Sequence, residues 1–472
     1  MKSSMFSNTK QLFRKMSVIE LASRYALVKL SSFSGFVSKV RSLTNAAIAN
    51  QRTSHQSAFG IFPSQSYISL MKSTIFKLYV AGERIEDCLE THDKISAFNM
   101  RMIIDHSTEE KTSSCAWEDN VKAKTKLLDR IPSLFHHRSS SSPSTGTTNG
   151  EQKESLLIPL FVPIKITSLF SPELLEILSA TIIKVEEEDL PHHQSESYFK
   201  KKMTKEEKDT YEQGMMNLER VCLAAKKNGL SILLDAEQSH RQPAIDFISR
   251  ILMARLCGGG GEKDETARLL SHRPPLIYNT YQMYLKGSYE RLRLDIEKGK
   301  ENNYPVGIKL VRGAYMVNES ERALEKSCEN PIMPSKQDTD EQYNKALSMI
   351  LGSISENKCD VSVLIATHNR ESIIKATELM KKNGLLPNDP RIHFAQLLKP
   401  FTTSSHLTTD FVALENIVFF NDSKVLFGDF SEVFPWLLRR LDENQDVMGA
   451  TIAEAGLLKK ELWRRFTASS IP

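Results

Sequence analysis

The sequence predicts an α/β chain: a distorted (β/α)8 barrel of the TIM type with an N-terminal helical extension. Three observations predict it. Apolar runs of strand length recur from residue 156 onward, amphipathic stretches of helix length separate them, and the runs end one after another in polar groups. Strands that are apolar almost throughout are buried on both faces, as in a parallel sheet covered by helices. Seven or eight such units over 157–467 suit a closed barrel better than an open doubly wound sheet. The open sheet is the alternative, and no βα turn carries the GxGxxG fingerprint that would favour it.

The chain begins with a basic segment. Residues 1–59 contain nine Lys and Arg and one acid, Glu20, so the net charge of +4 is local and the remainder is slightly acidic. That balance gives no argument for a nucleic-acid partner. A basic, serine-rich, acid-poor start matches a mitochondrial transit peptide over 1–55, with an amphipathic helix from Lys10 to Lys29. Residues 56–155 read as a helical arm (helices at Leu70–Ala81 and Val121–Leu134) followed by a low-complexity linker, Arg138–Gly150. No run of about 20 apolar residues suggests a spanning helix. Six cysteines lack any CxxC spacing, which points away from disulfides and from a metal site.

The barrel is expected over 156–472. Its strand candidates are 156–167, 230–237, 275–284, 306–315, 361–369, 391–398, and 416–420 continuing towards Phe427. The helices between them are Pro172–Val185, Lys205–Lys227, Pro243–Leu256, Lys286–Lys300, Asp340–Glu356, Arg370–Asn383 and Ser431–Asn444. Charged insertions at 186–204 and 320–340 read as surface. Gly258–Gly261 follows a helix and reads as a loop.

In such folds chemistry sits at the carboxyl ends of the strands. Those ends carry Lys165 and Thr167, Asp235 and Glu237, Thr280 and Gln282, Lys309 to Tyr315, Thr367-His368-Asn369, and Gln396. A lone Lys can snorkel and a lone Asp can cap a helix. Six successive polar strand ends point instead to one mouth. Arg439 and Arg440 stand in tandem on an otherwise apolar helix. Their guanidiniums suit a carboxylate, although Arg439 is equally spaced to pair with Glu443 at i,i+4.

The ordered set IKIT, LLDAEQS with QPAI, TYQMYLK, GIKLVRGAY, IATHN, FAQLL and LLRRLDEN, spanning about 160–445, resembles the proline dehydrogenase family, its eukaryotic mitochondrial branch in particular. The resemblance implies a barrel holding FAD at its mouth. It further implies oxidation of L-proline to 1-pyrroline-5-carboxylate, with electrons passed to quinone at the matrix side of the mitochondrial inner membrane, a peripheral contact. It assigns the substrate carboxylate to Arg439, Arg440 and Lys165, the substrate ring to Tyr315, and the holding of the active-site cations to Asp235. To the cofactor it assigns Gln282, Lys309, Thr367, His368, Asn369, Gln396 and Glu443. Arg312 is left as a structural cation.

Two departures stand out. The family reads YxPYG where this chain has KVLFG at 424–428, which puts Lys424 in place of a Tyr. It reads FxQLLGM where this chain has FAQLLKP, which brings in Lys399 and Pro400. An ammonium replacing a phenol beside the substrate opens an alternative: a hydroxyproline or other cyclic imino-acid dehydrogenase, or a flavin-binding paralogue with little activity. A barrel forming a Schiff base through Lys165 explains neither the arginine pair nor the full motif set.

Overall fold

The computed structural model describes residues 17–31, 34–53, 64–96, 100–106, 113–139, 160–187, 196–257, 274–356, 360–397, 420–446 and 448–468. The chain forms two units, one of 99–396 with 418–424 and one of 1–98, 397–417 and 425–472.

The strands are β1 (Met100–His106), β2 (Phe161–Lys165), β3 (Ser231–Asp235), β4 (Ile277–Gln282), β5 (Val306–Val311), β6 (Val361–Ala366), β7 (Ile392–Leu397) and β8 (Phe420–Phe427). The helices that the account uses, in chain order, are α1 (Val18–Ser31), α2 (Ser34–Thr53), α3 (Ser64–Met71), α4 (Cys88–Ser96), α5 (Ser114–Ser139), α6 (Pro172–Glu187), α7 (Glu196–Lys202), α8 (Lys205–Lys227), α9 (Gln242–Cys257), α10 (Ser288–Glu301), α11 (Met316–Glu325), α12 (Lys336–Glu356), α13 (Arg370–Lys382), α14 (Phe430–Asp446) and α15 (Met448–Ala468).

The strands form one eight-stranded sheet in the order β1-β8-β7-β6-β5-β4-β3-β2. The pairs from β2 to β7 are parallel and in continuous register, for example Lys165 opposite Asp235 and Thr280 opposite Lys309. Together the eight make a nearly closed (β/α)8 barrel. Side chains prove the closure. Phe161 of β2 meets His393 of β7 edge-on, ring centroids 5.0 Å apart, although four strands separate them in the sheet order. Only a sheet curled on itself brings them together.

Successive strand residues point to opposite faces, so one parity lines the interior. Ile103, Phe161, Leu233, Tyr278, Leu364 and Ala395 pack there as one apolar cluster. Gly307 makes room for it. A Cβ at that position would lie 2.9 Å from the Tyr278 ring and 2.2 Å from the Ile277 carbonyl oxygen.

The sequence reads residues 56–155 as a helical arm and linker without a strand. The structure corrects this: β1 lies within that span and belongs to the barrel sheet. Its apolar run is broken by Arg101, which is buried rather than exposed. The expected helices otherwise appear, most sharply α8. Thr204 caps it, its Oγ1 accepting the Glu207 N–H at 3.2 Å while Glu207 accepts the Thr204 N–H at 2.8 Å; this is a capping box. The insertion 186–204 contains α7, and 320–340 contains the end of α11 and the start of α12. Gly258–Gly261, Lys399 and Pro400 lie outside the described residues, as does the first part of the expected helix from Lys10.

In the other unit, α14 supplies Phe430, Val433, Phe434 and Leu437 to a core shared with Val40 and Ala47 of α2, Met71 of α3, and Phe76. α15 packs on α1. Among the described residues no helix is long and apolar enough to cross a membrane, no disulfide forms, and no His, Cys, Asp or Glu group is arranged to hold a metal ion.

Candidate active site

Interior parity carries each strand from a floor, through the apolar layer, to a mouth. On β1 these positions are Arg101, Ile103 and Asp105; on β8 they are Asp422 and Lys424. At the floor, Arg101 donates to Asp422 through Nε at 3.1 Å and Nη2 at 2.9 Å. Its Nη2 also lies 2.7 Å from His393 Nδ1. That nitrogen must therefore accept, so His393 carries its proton on Nε2 and donates to the Pro390 carbonyl at 3.0 Å. Burial holds the imidazole below its ordinary value, hence neutral.

The mouth is different. Lys424 reaches both Asp105 Oδ2 at 2.9 Å and Asp235 Oδ2 at 3.3 Å. Lys309 pairs with the other oxygen of Asp235. Asp235 thus sits between ammoniums from β5 and β8. Burial alone would raise its carboxyl, but Lys309 and Lys424 outweigh burial and hold it well below the usual range. The same pairing raises Lys424 against the cost of its own burial, with Asp105 and Asp235 both contributing. For Lys309 burial wins and lowers the ammonium, despite Asp235. From α5, buried Lys124 donates to the His106 carbonyl at 2.6 Å. Burial lowers it to about 8, while Asp105 and Asp235 pull the other way. Lys165 ends β2, paired in register with Asp235. The ammoniums of Lys124, Lys165, Lys309 and Lys424 therefore gather at the mouth with the carboxylates of Asp105, Asp235 and Glu237.

Hydrogen bonds among Thr167, Glu237 and Gln282 order the strand ends. Glu237 is buried, accepts the Thr167 hydroxyl and, at 3.1 Å, the Thr167 N–H. Burial pushes its carboxyl up despite those bonds. Gln282 is buried and donates its amide N–H to the Glu237 carbonyl at 2.8 Å, which fixes the carboxamide and leaves its oxygen to accept. Arg312 has a structural role, as the sequence suggested. It donates to Asp340 at 2.6 Å, Thr367 at 2.7 Å and Ser372 at 2.9 Å, and stacks 4.3 Å over Tyr343. Just after it, Gly313 has φ 148°, and a Cβ there would run into the Tyr284 ring at 1.4 Å, so only glycine fits.

The structure brings Lys165, Asp235, Gln282 and Lys309 together in one unit at the strand ends. Thr367 engages Arg312 and also accepts the Asn369 N–H at 3.0 Å. Asn369 caps α13 by accepting the Ser372 N–H at 3.2 Å. His368 between them is exposed, and Gln396 is half-buried near the end of β7. Tyr315 is half-buried at the start of α11. Arg439, Arg440 and Glu443 are on α14 in the other unit, and their side chains lie outside the described ones. Sequence reasoning missed Asp105 and Lys124. The signal for Asp105 was the short apolar stretch Met102–Ile104 ending in a polar group, as at the six polar strand ends.

These groups form a cation-rich barrel mouth with fixed hydrogen-bonding side chains. The proline dehydrogenase family model matches residues 88–452. The chain belongs to the proline dehydrogenase family. The matched stretch begins before β1, in keeping with β1 as a barrel strand. The chain is 29% identical to mitochondrial proline dehydrogenase 1 of Dictyostelium discoideum over 84% of its own length and 65% of that protein's. It is 28% identical to hydroxyproline dehydrogenase of Rattus norvegicus over 84% of its length and 83% of the relative's. Proline utilization A from Bdellovibrio bacteriovorus, in a crystal structure of the protein inactivated by N-propargylglycine, superposes with TM-score 0.59 at 16% identity. That match covers 81% of this chain and 34% of the other; it supports the barrel fold.

Proposed function

We propose that this proline dehydrogenase family member uses FAD to oxidise L-proline to 1-pyrroline-5-carboxylate and passes the electrons to a quinone. The observation that carries the reading is the ion layer at the mouth, where the ammoniums of Lys124, Lys165, Lys309 and Lys424 meet the carboxylates of Asp105, Asp235 and Glu237. A surplus of positive charge in a partly desolvated site favours an anionic substrate and an electron-rich reduced ring.

The donor set fits FAD. Lys309 is an anchored cation, Gln282 offers a carbonyl oxygen, and His368 and Asn369 sit at the amino end of α13, where backbone N–H groups favour phosphate. FAD would supply the hydride-accepting chemistry when bound; the chain supplies placement and charge. Lys165 binds the substrate carboxylate, a role shared with Arg439 and Arg440, and Tyr315 packs on the ring. Asp235 fixes Lys309 and Lys424. Gln282, Lys309, Thr367, His368, Asn369, Gln396 and Glu443 hold the cofactor. The substrate amine, neutral for hydride loss, gives its proton to water. The basic N-terminus and the mitochondrial relative support a place on the matrix side of the inner membrane.

Lys424 favours a second reading. A fixed ammonium in place of a phenol offers a hydrogen-bond donor to a ring hydroxyl, and the rat relative is a hydroxyproline dehydrogenase. Dye reduction by purified enzyme decides. Turnover with proline and a flavin absorption spectrum are expected; hydroxyproline oxidised much faster transfers the assignment to the second reading, and a flavin spectrum indifferent to both refutes the two together.

A further inference from the structure

The last turns of α15 place cations and large aromatics on one outward arc. Helix residues advance by about 100° each, so Phe466, Lys459, Trp463, Thr467, Lys460 and Arg464 follow one another around that side. Each is exposed, and Trp463 and Phe466 are 68% and 62% exposed. The opposite side is buried, with Leu458 at 1% and Glu461 at 6%. Glu461 takes up part of the charge, pairing with Arg464 at 2.7 Å and Arg465 at 2.9 Å. Lys459, Lys460, Trp463 and Arg464 also line a shallow groove of ≈ 380 Å³.

Among the described residues, this Trp and Phe, about one turn apart, keep most of their surface exposed. Flanked by cations, they match the physics of a helix lying in a bilayer interface: rings enter the acyl boundary while ammonium and guanidinium groups meet phosphates. The charge argues against a neutral apolar partner, since Lys459 would then be buried without a counter-ion.

We propose that this arc of α15 is a membrane-contact surface that docks on anionic phospholipid. The inference deepens the functional reading, because a quinone acceptor requires the enzyme at a lipid surface, yet its test does not depend on turnover. The full chain is sedimented with vesicles of phosphatidylcholine alone and of phosphatidylcholine with phosphatidylglycerol. The expected result is at least tenfold preference for the anionic vesicles, weakened by salt. Lys459→Gln with Lys460→Gln should weaken binding roughly 25-fold, about fivefold per charge. Trp463→Ala with Phe466→Ala should weaken it at least tenfold. Both double variants should reduce dye with proline at the parent rate in lipid-free buffer.

Equal binding to the two vesicle types, or variants that bind as the parent does, would overturn the proposal. So would self-association of the parent that the aromatic variant abolishes, which would make a second copy the occupant. If the parent binds anionic vesicles but fails to oxidise proline, the catalytic reading fails while this surface stands.

Discussion

Two ionic layers cross the barrel, represented on β1 by Arg101 and Asp105 and on β8 by Asp422 and Lys424, and they differ in balance. At the floor, one guanidinium meets one carboxylate and a neutral imidazole, and Arg101 and Asp422 are 4% and 0% exposed. Every group there has its partner, and the partners come from β1, β7 and β8. At the mouth, four ammoniums meet the carboxylates of Asp105, Asp235 and Glu237, and part of the layer stays wet, with Lys424 and Asp235 at 15% and 18% exposure. A matched buried cluster specifies which strands meet. A mismatched, accessible one favours the arrival of an anion. The same barrel interior thus holds a fixed structural layer below and a receptive one above.

The contrast breaks if the floor proves catalytic. Asp422→Asn leaves Arg101 buried without a counter-charge and should cost about 3–5 kcal/mol in a urea melt, while kcat/KM per folded molecule stays near the parent value. Asp235→Asn should do the reverse. It releases Lys309 and Lys424 from their shared anchor, and proline turnover should fall about 10²–10³-fold with a smaller loss of stability.

Lys124 sharpens the picture through pH. Its folded value of about 8 lies below the unfolded 10.5. Between those values the unfolded chain holds more protons, so stability should climb as pH rises from about 8 towards 10.5. Below pH 8 the whole cost of burying the charge remains, about 3 kcal/mol. Urea midpoints at pH 8 and 10 should show this climb in the parent, and Lys124→Met should flatten it. The smallest expected effect is on selectivity: Lys424→Tyr should shift the ratio of kcat/KM for proline over hydroxyproline towards proline about tenfold. An unchanged ratio would remove Lys424 from substrate discrimination.

Much of this was legible in the sequence because it is local. Seven strands announced themselves as apolar runs, and the helices between them as amphipathic stretches. Asp235 and Gln282 stand at or near the ends of such runs and Lys309 inside one, and the resemblance to the proline dehydrogenase family gave them their expected roles. β1 was hidden because Arg101 interrupts it, and the group that makes this charge tolerable, Asp422, lies 321 residues away. Lys424 read as an anomaly for the same reason, since its partner Asp235 is 189 residues distant. Pairing between remote strands decides whether a buried charge belongs, and local periodicity carries no trace of it. The basic N-terminal segment shows the same limit from the other side. Its composition suits targeting, yet Val40 and Ala47 are buried in the core with α14.

If proline is oxidised at the ion layer of the mouth, as proposed, the flavin reports it. Anaerobic titration of the purified enzyme with L-proline, followed in the flavin absorption band, tests it most directly when parent and Asp235→Asn are compared. Bleaching of the parent and a retained but unbleached flavin in the variant are expected. Bleaching to the same extent and at the same rate in both would contradict the proposal.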